Sequence, residues 1–347
     1  MDVTVVIPTH GRPEKVAACV RALAVQTLAR EAYEVLVGLD GPDEAAAGAI
    51  RGAWAEASGS GGSGRAGLTV VACAKQGQAG VRNELLRLAR GRTLVFLNDD
   101  MLPTADFLAR HVEHQRAEEA SGMSALIVGA SPWRVHQPDR LFDRLIRETS
   151  MVFFYDQMAG ESDPQRDWGF RHAWLLNLSV RAVLVREVGG FAVFPQTYGY
   201  EDDELAFRLK ERFGTRVLYR PDAVAEHDHR MDPADYLARE ERLGHAAVGF
   251  ARQTPVCARA MFGRDVATEA EAAYSREYVE RERGLAERLR VSFEGLAAIP
   301  ASEPRGPESR RLLHLIYQQH LPLKRWHWRR GLVRGWEELR GHAMLGR

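Results

Sequence analysis

The apolar positions of this chain form two patterns, which predict alternating strands and helices up to about residue 230. Short continuous runs such as Val3–Ile7, Tyr33–Leu39 and Leu94–Leu97 suit strands that are buried on both faces. Stretches with apolar residues three or four positions apart follow them, as after Glu14, and predict amphipathic helices. This alternation predicts an α/β domain with a mostly parallel sheet.

The same patterns predict further elements along the chain. Additional strands are predicted at Leu68–Ala72, Ser124–Ala130, Ala173–Arg181 and Arg216–Tyr219. Additional helices are predicted at residues 43–57, 81–89, 104–120 and 201–213. Ser58–Gly64 is rich in glycine and serine and predicts a flexible surface loop. Ser131–His172 is aromatic and shows no clean period, which favours either a binding loop or an ordinary, partly buried connection.

The chain beyond Pro233 is helical in pattern, with its clearest helices at residues 235–253 and 267–289 and a linker or turn at 300–307. We therefore expect an α/β domain at residues 1–232 and a helical extension at 233–347. Leu312–Trp336 combines tryptophans with lysine and arginine. It predicts either peripheral contact with an anionic membrane surface or a helix packed on its own domain, and the second alternative is slightly favoured.

Two acidic clusters carry the candidate chemistry. Asp99 and Asp100 follow the strand that ends at Leu97, at the sheet edge where open α/β sheets bind ligands. Adjacent carboxylates there repel each other, so a site would need a cation such as Mn²⁺ or Mg²⁺ bridging to phosphates. A solvated turn or a helix cap is the alternative. Residues 201–204 are four consecutive acids, which exceeds what favourable interaction with a helix dipole requires.

Other candidate residues follow strands in the same way. Asp40 precedes Gly41-Pro42, so it is either a turn residue or an acceptor of hydrogen bonds from a nucleobase or ribose. Lys75–Gly80 offers glycines before a helix, a weak anion-binding signal that matches no Walker or GxGxxG pattern. His227 and His229 lie at alternate positions of a β-like run, so only one of them need face a site.

Composition narrows the function classes. Lys+Arg and Asp+Glu both total 47, and this balance gives no support for nucleic-acid binding by bulk electrostatics. The 3 cysteines are far apart and fit a reducing compartment. Because the chain shows neither a signal-peptide pattern nor an apolar run of about 18 residues, we expect a cytoplasmic protein, with peripheral contact at the inner membrane face as the alternative.

The ordered set of motifs resembles the inverting family 2 glycosyltransferases of the GT-A fold across residues 1–230. The motifs that carry the resemblance are Val5–Pro13, Asp40, Gly80–Asn83, Phe96–Asp100, Asn177–Arg181, Val188–Phe191 and Tyr200–Leu205. The resemblance implies a nucleotide-sugar-binding, Rossmann-like mixed sheet, a nucleotide-sugar donor (UDP-sugar favoured), and a hydroxyl of a glycan or glycolipid as acceptor. It does not cover the helical extension.

The resemblance also implies roles for individual residues. The residues implied for the donor pocket are Pro8, Thr9, Arg12, Asp40, Arg82 and Asp99. Asp100 would be the main ligand of Mn²⁺ or Mg²⁺, with His227 completing the site and His229 as runner-up. Asn98 replaces the first acid of the family's DxD motif, which argues against a metal ligand at that position. Asp202 would be the general base, with Glu201 orienting the acceptor and Asp203 the less favoured base.

Three alternatives concern the acceptor and the reaction. Trp174, Trp133 and Trp168 either stack on an acceptor sugar or pack in the core. A non-catalytic nucleotide-sugar-binding subunit would lack the base, yet Glu201 and Asp202 are present. A sugar nucleotidyltransferase would have a glycine- and lysine-rich phosphate loop after the first strand, where this chain has residues 8–12 with one glycine and no lysine.

Overall fold

The computed structural model describes residues 1–59, 67–194, 198–306 and 308–345. The chain forms two compact units, which we call the sheet unit and the helical unit. The sheet unit comprises Met1–Arg134, Met158–Val193 and Glu201–His229. The helical unit comprises Val135–Gln157, Phe194–Tyr200 and Arg230–Arg347. The predicted loop Ser58–Gly64 lies outside the described residues from position 60 onward.

The strands of the described residues all lie in the sheet unit. They are β1 Val3–Thr9, β2 Tyr33–Asp40, β3 Leu68–Cys73, β4 Thr93–Leu97, β5 Met101–Pro103, β6 Ala125–Gly129, β7 Asn177–Arg181, β8 Arg216–Arg220 and β9 Ala225–His227. The α-helices are α1 Pro13–Leu23, α2 Glu44–Ala57, α3 Gly77–Leu88, α4 Phe107–Ala120, α5 Leu141–Glu148, α6 Tyr155–Ala159, α7 Ala182–Glu187, α8 Glu201–Phe213, α9 Pro233–Gln253, α10 Pro255–Phe262, α11 Glu269–Arg281, α12 Arg283–Gly295 and α13 Ser309–Leu345.

The main sheet has seven strands in the order β3-β2-β1-β4-β7-β6-β8. Strand β7 runs antiparallel to β4 and β6, and the other neighbours are parallel. This confirms the predicted mixed, mostly parallel sheet. Because β1, β2 and β4 are parallel neighbours, their carboxyl ends meet at one edge, and the segments after them converge there.

The core of the sheet unit explains why these runs form strands. Every residue of β1 and β4 is buried, since helices cover both faces of a parallel sheet. One glycine is required by packing rather than by a turn. A Cβ at Gly38 of β2 would lie 2.4 Å from Cγ1 of Val81, so a larger residue would push α3 off the sheet.

Three predicted elements differ from the structure. The predicted strand Ala173–Arg181 begins only at Asn177, because its partner β4 ends at Leu97 and no longer strand is available for pairing. The predicted helix at residues 267–289 is two helices, α11 and α12, which are separated at Glu282. Gly284, a poor helix former, lies close to this break, in the first turn of α12. The irregular stretch Ser131–His172 contains α5 and α6.

The helical unit is built on close contact between α9 and α13. A Cβ at Gly244 would lie 1.8 Å from the carbonyl oxygen of Trp328, and a Cβ at Gly331 would lie 1.9 Å from that of Glu241. Glu241 accepts hydrogen bonds from Arg330 Nε at 2.9 Å and Arg334 Nη1 at 2.7 Å. Glycines at the crossing therefore allow the backbones of α9 and α13 to approach closely, and ion pairs fix the position of one helix along the other.

The basic, aromatic segment Leu312–Trp336 lies within α13. Trp326 and Trp336 are buried, and Trp326 Nε1 donates to the carbonyl oxygen of Val279 at 2.9 Å. The structure therefore favours the packed-helix alternative over an aromatic face turned to a membrane. Among the helices that the structure describes, none is long and apolar enough to cross a membrane.

Candidate functional site

The first acidic cluster lies at the carboxyl ends of β1 and β4. Thr9 Oγ1 donates to Asp99 Oδ2 at 2.6 Å, and Arg12 donates to both acids, with Nη1 2.8 Å from Asp100 Oδ2. Thr9 ends β1, and Arg12 precedes α1, so the first βα turn supplies both contacts. The structure thus brings together four residues predicted for the donor and metal sites.

The pKa values of the two neighbouring carboxyls, Asp99 and Asp100, are shifted in opposite directions. Burial, together with the Asp100 charge, raises the pKa of Asp99 to about 6, although Arg12 and Thr9 oppose the shift. Burial also disfavours ionisation of Asp100, but the two histidines and Arg12 hold its pKa well below the usual range. Asp100 is therefore the fully charged member of the pair at neutral pH.

A short hairpin positions the two histidines at Asp100. Strands β5 and β9 pair antiparallel, with Met101 opposite His227. His227 Nε2 lies 3.6 Å from Asp100 Oδ1, and His229 Nδ1 lies 3.5 Å from Oδ2. Both imidazoles face the carboxylate, whereas alternation along a strand had predicted that only one need do so. The ring of Trp133 packs against His227 in a tilted arrangement, with the ring centroids 4.2 Å apart.

The environment of Asp100 fits a hard divalent cation. Its Oδ1 is buried and accepts no hydrogen bond within the described residues. Across those same residues, no group of three or more His, Cys, Asp or Glu side chains could hold a metal ion. Mg²⁺ and Mn²⁺ commonly bind one or two carboxylates together with substrate phosphates, so the residues present fit an ion that arrives with a phosphorylated donor.

Asp40 lies at the end of β2 and stabilises the start of α3. Its Oδ1 accepts hydrogen bonds from the backbone N–H of Gln76 at 2.7 Å and of Gly77 at 3.1 Å. The segment with the weak anion-binding signal is thus already occupied by a carboxylate of the chain. Pro8, two residues before the loop, is buried in β1 opposite Gly38.

Arg82 joins the first acidic cluster to the second. It is buried in α3 and donates to Glu201 Oε1 at 3.1 Å, Gln78 Oε1 at 3.1 Å and Asn98 Oδ1 at 3.4 Å. Asn98 is thereby a hydrogen-bond partner of Arg82, which explains why an amide can replace an acid at this position. A single guanidinium therefore ties the end of β4 to the start of α8.

The second acidic cluster forms the first turn of α8. Burial, followed by the Glu201 charge, raises the pKa of Asp202 to about 6. Burial also raises the pKa of Asp203 well above its usual value, and Asp202 and Glu201 add to that shift. The fourth acid, Glu204, forms an i,i+4 ion pair with Arg208 and is structural. Tyr200, immediately before the helix, has a left-handed φ of 71°.

Three aromatic rings line up near α8 within the sheet unit. His172 lies between Trp168 and Trp174, with ring centroids 6.0 and 5.5 Å away, both edge-on. Phe170 contacts Phe207 of α8 at 5.3 Å, which fixes this segment against the helix. Trp168 and Trp174 are partly exposed, whereas Trp133 lies beside the histidines instead. The structure thus separates the three tryptophans that the sequence grouped together.

Sequence reasoning missed one supporting residue, Asp228. Its backbone N–H donates to the carbonyl oxygen of Asp100 at 2.8 Å, and its carboxylate pairs with Lys15 at 2.8 Å and Arg134 at 3.4 Å. These contacts hold the loop after β9 against α1. The partners are far apart in sequence, and no periodic pattern or motif indicates them.

Residues 4–171 match the family model described as Glycosyl transferase family 2. The chain carries a family 2 glycosyltransferase domain. The chain is 37% identical over 75 residues to the pre-mycofactocin glycosyltransferase of Mycobacterium tuberculosis, a match that covers 22% of this chain and only 15% of that relative.

A solved structure supports the fold. The mannosyltransferase PcManGT from Pyrobaculum calidifontis, in complex with GDP-Man and Mn²⁺, superposes with a TM-score of 0.55 at 18% identity. The alignment covers 97% of this chain and 87% of that one. The predicted GT-A architecture is therefore confirmed.

Arg82→Met is expected to lower the free energy of unfolding by about 3 kcal/mol, because it leaves Glu201 without its buried partner. Urea denaturation of the variant measures the loss. Arg87→Met, on the same helix but with an exposed side chain, is the control and should change stability by about 0.5 kcal/mol or less. The double variant Arg82→Met/Glu201→Gln should recover part of the loss, and equal losses in Arg82→Met and the control would refute the linking role.

Proposed function

We propose that the chain is an inverting glycosyltransferase that moves a sugar from a nucleotide-sugar donor, with a UDP-sugar favoured, to a hydroxyl of a glycan or glycolipid. One observation carries the proposal. Arg82, a single buried residue, links the segments that carry two candidate groups. The first is the charged Asp100 flanked by two histidines, and the second is the partly buried Asp202, whose pKa is raised. The family match and the fold support a nucleotide-sugar donor.

The donor phosphates would bind at Asp100. Asp100 and His227, with His229 as runner-up, would hold Mn²⁺ or Mg²⁺, and such an ion neutralises the charge that develops on a nucleoside diphosphate leaving group. Arg12 now compensates Asp99 and Asp100, and its side chain is 39% exposed. It therefore has room to turn from the carboxylates toward the donor phosphates or nucleotide.

The nucleotide would extend along the carboxyl ends of β1 and β2. Pro8 and Thr9 would line its pocket, and Asp99, hydrogen-bonded to Thr9, would face the ribose or the sugar. Oδ1 of Asp40 already accepts hydrogen bonds from two backbone N–H groups at the start of α3. Asp40 would therefore have to accept a hydrogen bond from the ligand with Oδ2. Arg82 would contribute to the site by holding Glu201 in position.

Asp202 would be the base that removes the proton from the acceptor hydroxyl. Its pKa of about 6 keeps it ionised at neutral pH while making it a better proton acceptor than an ordinary carboxylate. Glu201, held by Arg82, would orient the acceptor. Inversion needs only this one carboxylate for in-line attack, and no second nucleophile is required.

The aromatic series Trp168, His172 and Trp174 would supply a stacking surface for an acceptor sugar, because partly exposed aromatic faces suit the apolar face of a sugar ring. Trp133 would instead keep His227 oriented. Residues 233–347 would be an extension that serves acceptor binding or localisation.

Donor turnover is expected to rise with pH through about 6 as Asp202 loses its proton. In Glu201→Gln this rise should move to lower pH, because the Glu201 charge is what raises the pKa of Asp202 after burial. Initial rates of nucleoside diphosphate release, measured between pH 5 and 8, test the shift. A rise that stays in place, or moves to higher pH, would argue against Asp202 as the titrating base.

Product analysis tests the reaction itself. The protein is incubated with UDP- or GDP-sugars and Mn²⁺, with water or simple alkyl glycosides as acceptors of the sugar, and release of the nucleoside diphosphate is followed. We expect release that EDTA abolishes. In a parallel reaction a nucleoside triphosphate and a sugar phosphate are supplied. Pyrophosphate production there, without diphosphate release in the first reaction, would overturn the proposal in favour of a nucleotidyltransferase.

A further inference from the structure

A cavity of about 290 Å³ lies at the opposite edge of the sheet from the acidic clusters. Its walls come from the start of β4, the end of the antiparallel β7 and one face of α4. All of these segments belong to the sheet unit. Its volume is near the lower limit of about 300 Å³ for small-molecule sites, so it suits a compact ligand.

The cavity is strongly basic. Five arginines line it against two carboxylates. The arginines are Arg90, Arg92, Arg116, Arg181 and Arg186, and the carboxylates are Asp2 and Glu119. Arg90 is also paired with Glu34, which leaves two guanidinium charges in excess. A protein of zero formal net charge has therefore concentrated positive charge in one small concavity.

Part of the donor capacity of this cavity is unused, although Arg181 donates to Glu119 at 3.1 Å and Arg116 donates to Asp2 at 3.1 Å. Arg181 Nε is buried and has no hydrogen-bond partner within the described residues. Arg92 lies 3.6 Å from Glu119, an ion pair too long for a hydrogen bond, and its side chain is 76% exposed. Buried donors without partners are unfavourable, so a ligand that accepts these hydrogen bonds would gain binding energy.

We infer that this arginine-lined cavity binds a compact phosphate ester, with its phosphate on Arg92 and Arg181. Guanidinium groups present planar pairs of donors that match phosphate oxygens, so several converging arginines favour phosphate over a carboxylate of equal size. Val112 and the exposed Val183 give the cavity an apolar wall for the carbon part of the ester.

The site is separate from the proposed donor site. Arg92 and Asp99 flank β4, whose 5 residues alone span roughly 17 Å at about 3.3 Å per residue. The chemistry also differs, since the donor site presents carboxylates and needs a cation, whereas in this cavity guanidinium groups outnumber the two carboxylates. In EDTA a phosphate ester should therefore occupy the arginine cavity alone.

The test uses the full chain in EDTA, with glycerol 3-phosphate as a soluble probe and vesicles with or without phosphatidic acid as a membrane probe. Binding of the soluble probe is measured by calorimetry, and binding of vesicles by sedimentation. Arg92→Gln/Arg116→Gln removes two exposed arginines of the cavity, so its fold should survive. Arg21→Gln/Arg212→Gln, which removes two exposed arginines elsewhere in the sheet unit, is the matched control.

We expect saturable binding of glycerol 3-phosphate that weakens at least about tenfold in the cavity variant and stays unchanged in the control. Arg181→Gln should weaken it as well, since the buried donor is lost. If phosphatidic acid vesicles also bind, and lose binding in the same variant, the ester belongs to a lipid; if they do not, it is a free metabolite. Absence of saturable binding of either probe, or equal weakening in the control, would overturn the inference.

Discussion

Asp202→Asn is expected to lower turnover of the nucleotide-sugar by roughly 10²- to 10⁴-fold, the usual contribution of a general base. The amide keeps the size and hydrogen bonds of the side chain but cannot accept the acceptor's proton. Affinity for the nucleoside diphosphate should change by less than about twofold, because Asp202 lies on α8, whereas the diphosphate is assigned to Asp99 and Asp100 on the loop after β4. Steady-state release of nucleoside diphosphate and calorimetric binding measure the two effects separately.

Asp203→Asn is the matched control, since it changes the neighbouring residue in the same way. It should retain most of the turnover, because Asp203 is the less favoured base. Asp202→Asn should also raise the melting temperature by about 2 °C at neutral pH. The folded-state pKa of Asp202 is raised, so its ionised form destabilises the fold above pH 6, and the neutral amide removes that penalty. A large loss of turnover in Asp203→Asn but not in Asp202→Asn would transfer the base role to Asp203.

Asp100→Asn is expected to lower the Mn²⁺-supported kcat/KM by about 10³-fold, because the variant loses a charged carboxylate whose buried Oδ1 accepts no hydrogen bond within the described residues. Unlike Asp202→Asn, it should also weaken nucleoside diphosphate binding in Mn²⁺, and its residual binding should no longer respond to EDTA. Titration of the diphosphate with and without Mn²⁺ measures both changes.

A surface substitution of the same kind, Asp222→Asn, serves as the control and should leave kcat/KM and the metal response unaltered. If Asp100→Asn keeps its Mn²⁺ dependence, the ion is held elsewhere and the assignment of Asp100 is wrong. His227→Ala and His229→Ala then separate the two histidines, and the larger loss of Mn²⁺ response identifies the ligand.

Much of the sheet unit could be predicted because its signals are local. Short runs rich in β-branched residues, such as Val3–Ile7, favour buried strands, and turn residues mark their ends. The positions of Asp40 and Asp99 at strand ends followed directly, because side chains after parallel strands meet at one edge. The predicted convergence of Thr9, Arg12 and the two acids rested on the family resemblance and on this rule together.

The rest depends on contacts between residues distant in sequence. Arg82 reaches Glu201 over 119 positions, and Asp228 meets Lys15 from the far end of the sheet unit, which no local pattern reveals. The sequence did not predict the helix α5, because its buried residues lie within a stretch of aromatic and charged residues that hides the helical spacing of the apolar positions. The sequence did not indicate the arginine-lined cavity either, because its five arginines come from separate segments of the chain.

The measurement that tests the central claim most directly is thermal unfolding of the wild type with UDP, GDP, CDP and dTDP, each with and without Mn²⁺. We predict that one diphosphate, with UDP favoured, raises the melting temperature only when Mn²⁺ is present, and that Asp100→Asn abolishes this shift. If none of the four raises the melting temperature under either condition, the proposal of a metal-dependent nucleotide-sugar site at Asp100 is contradicted.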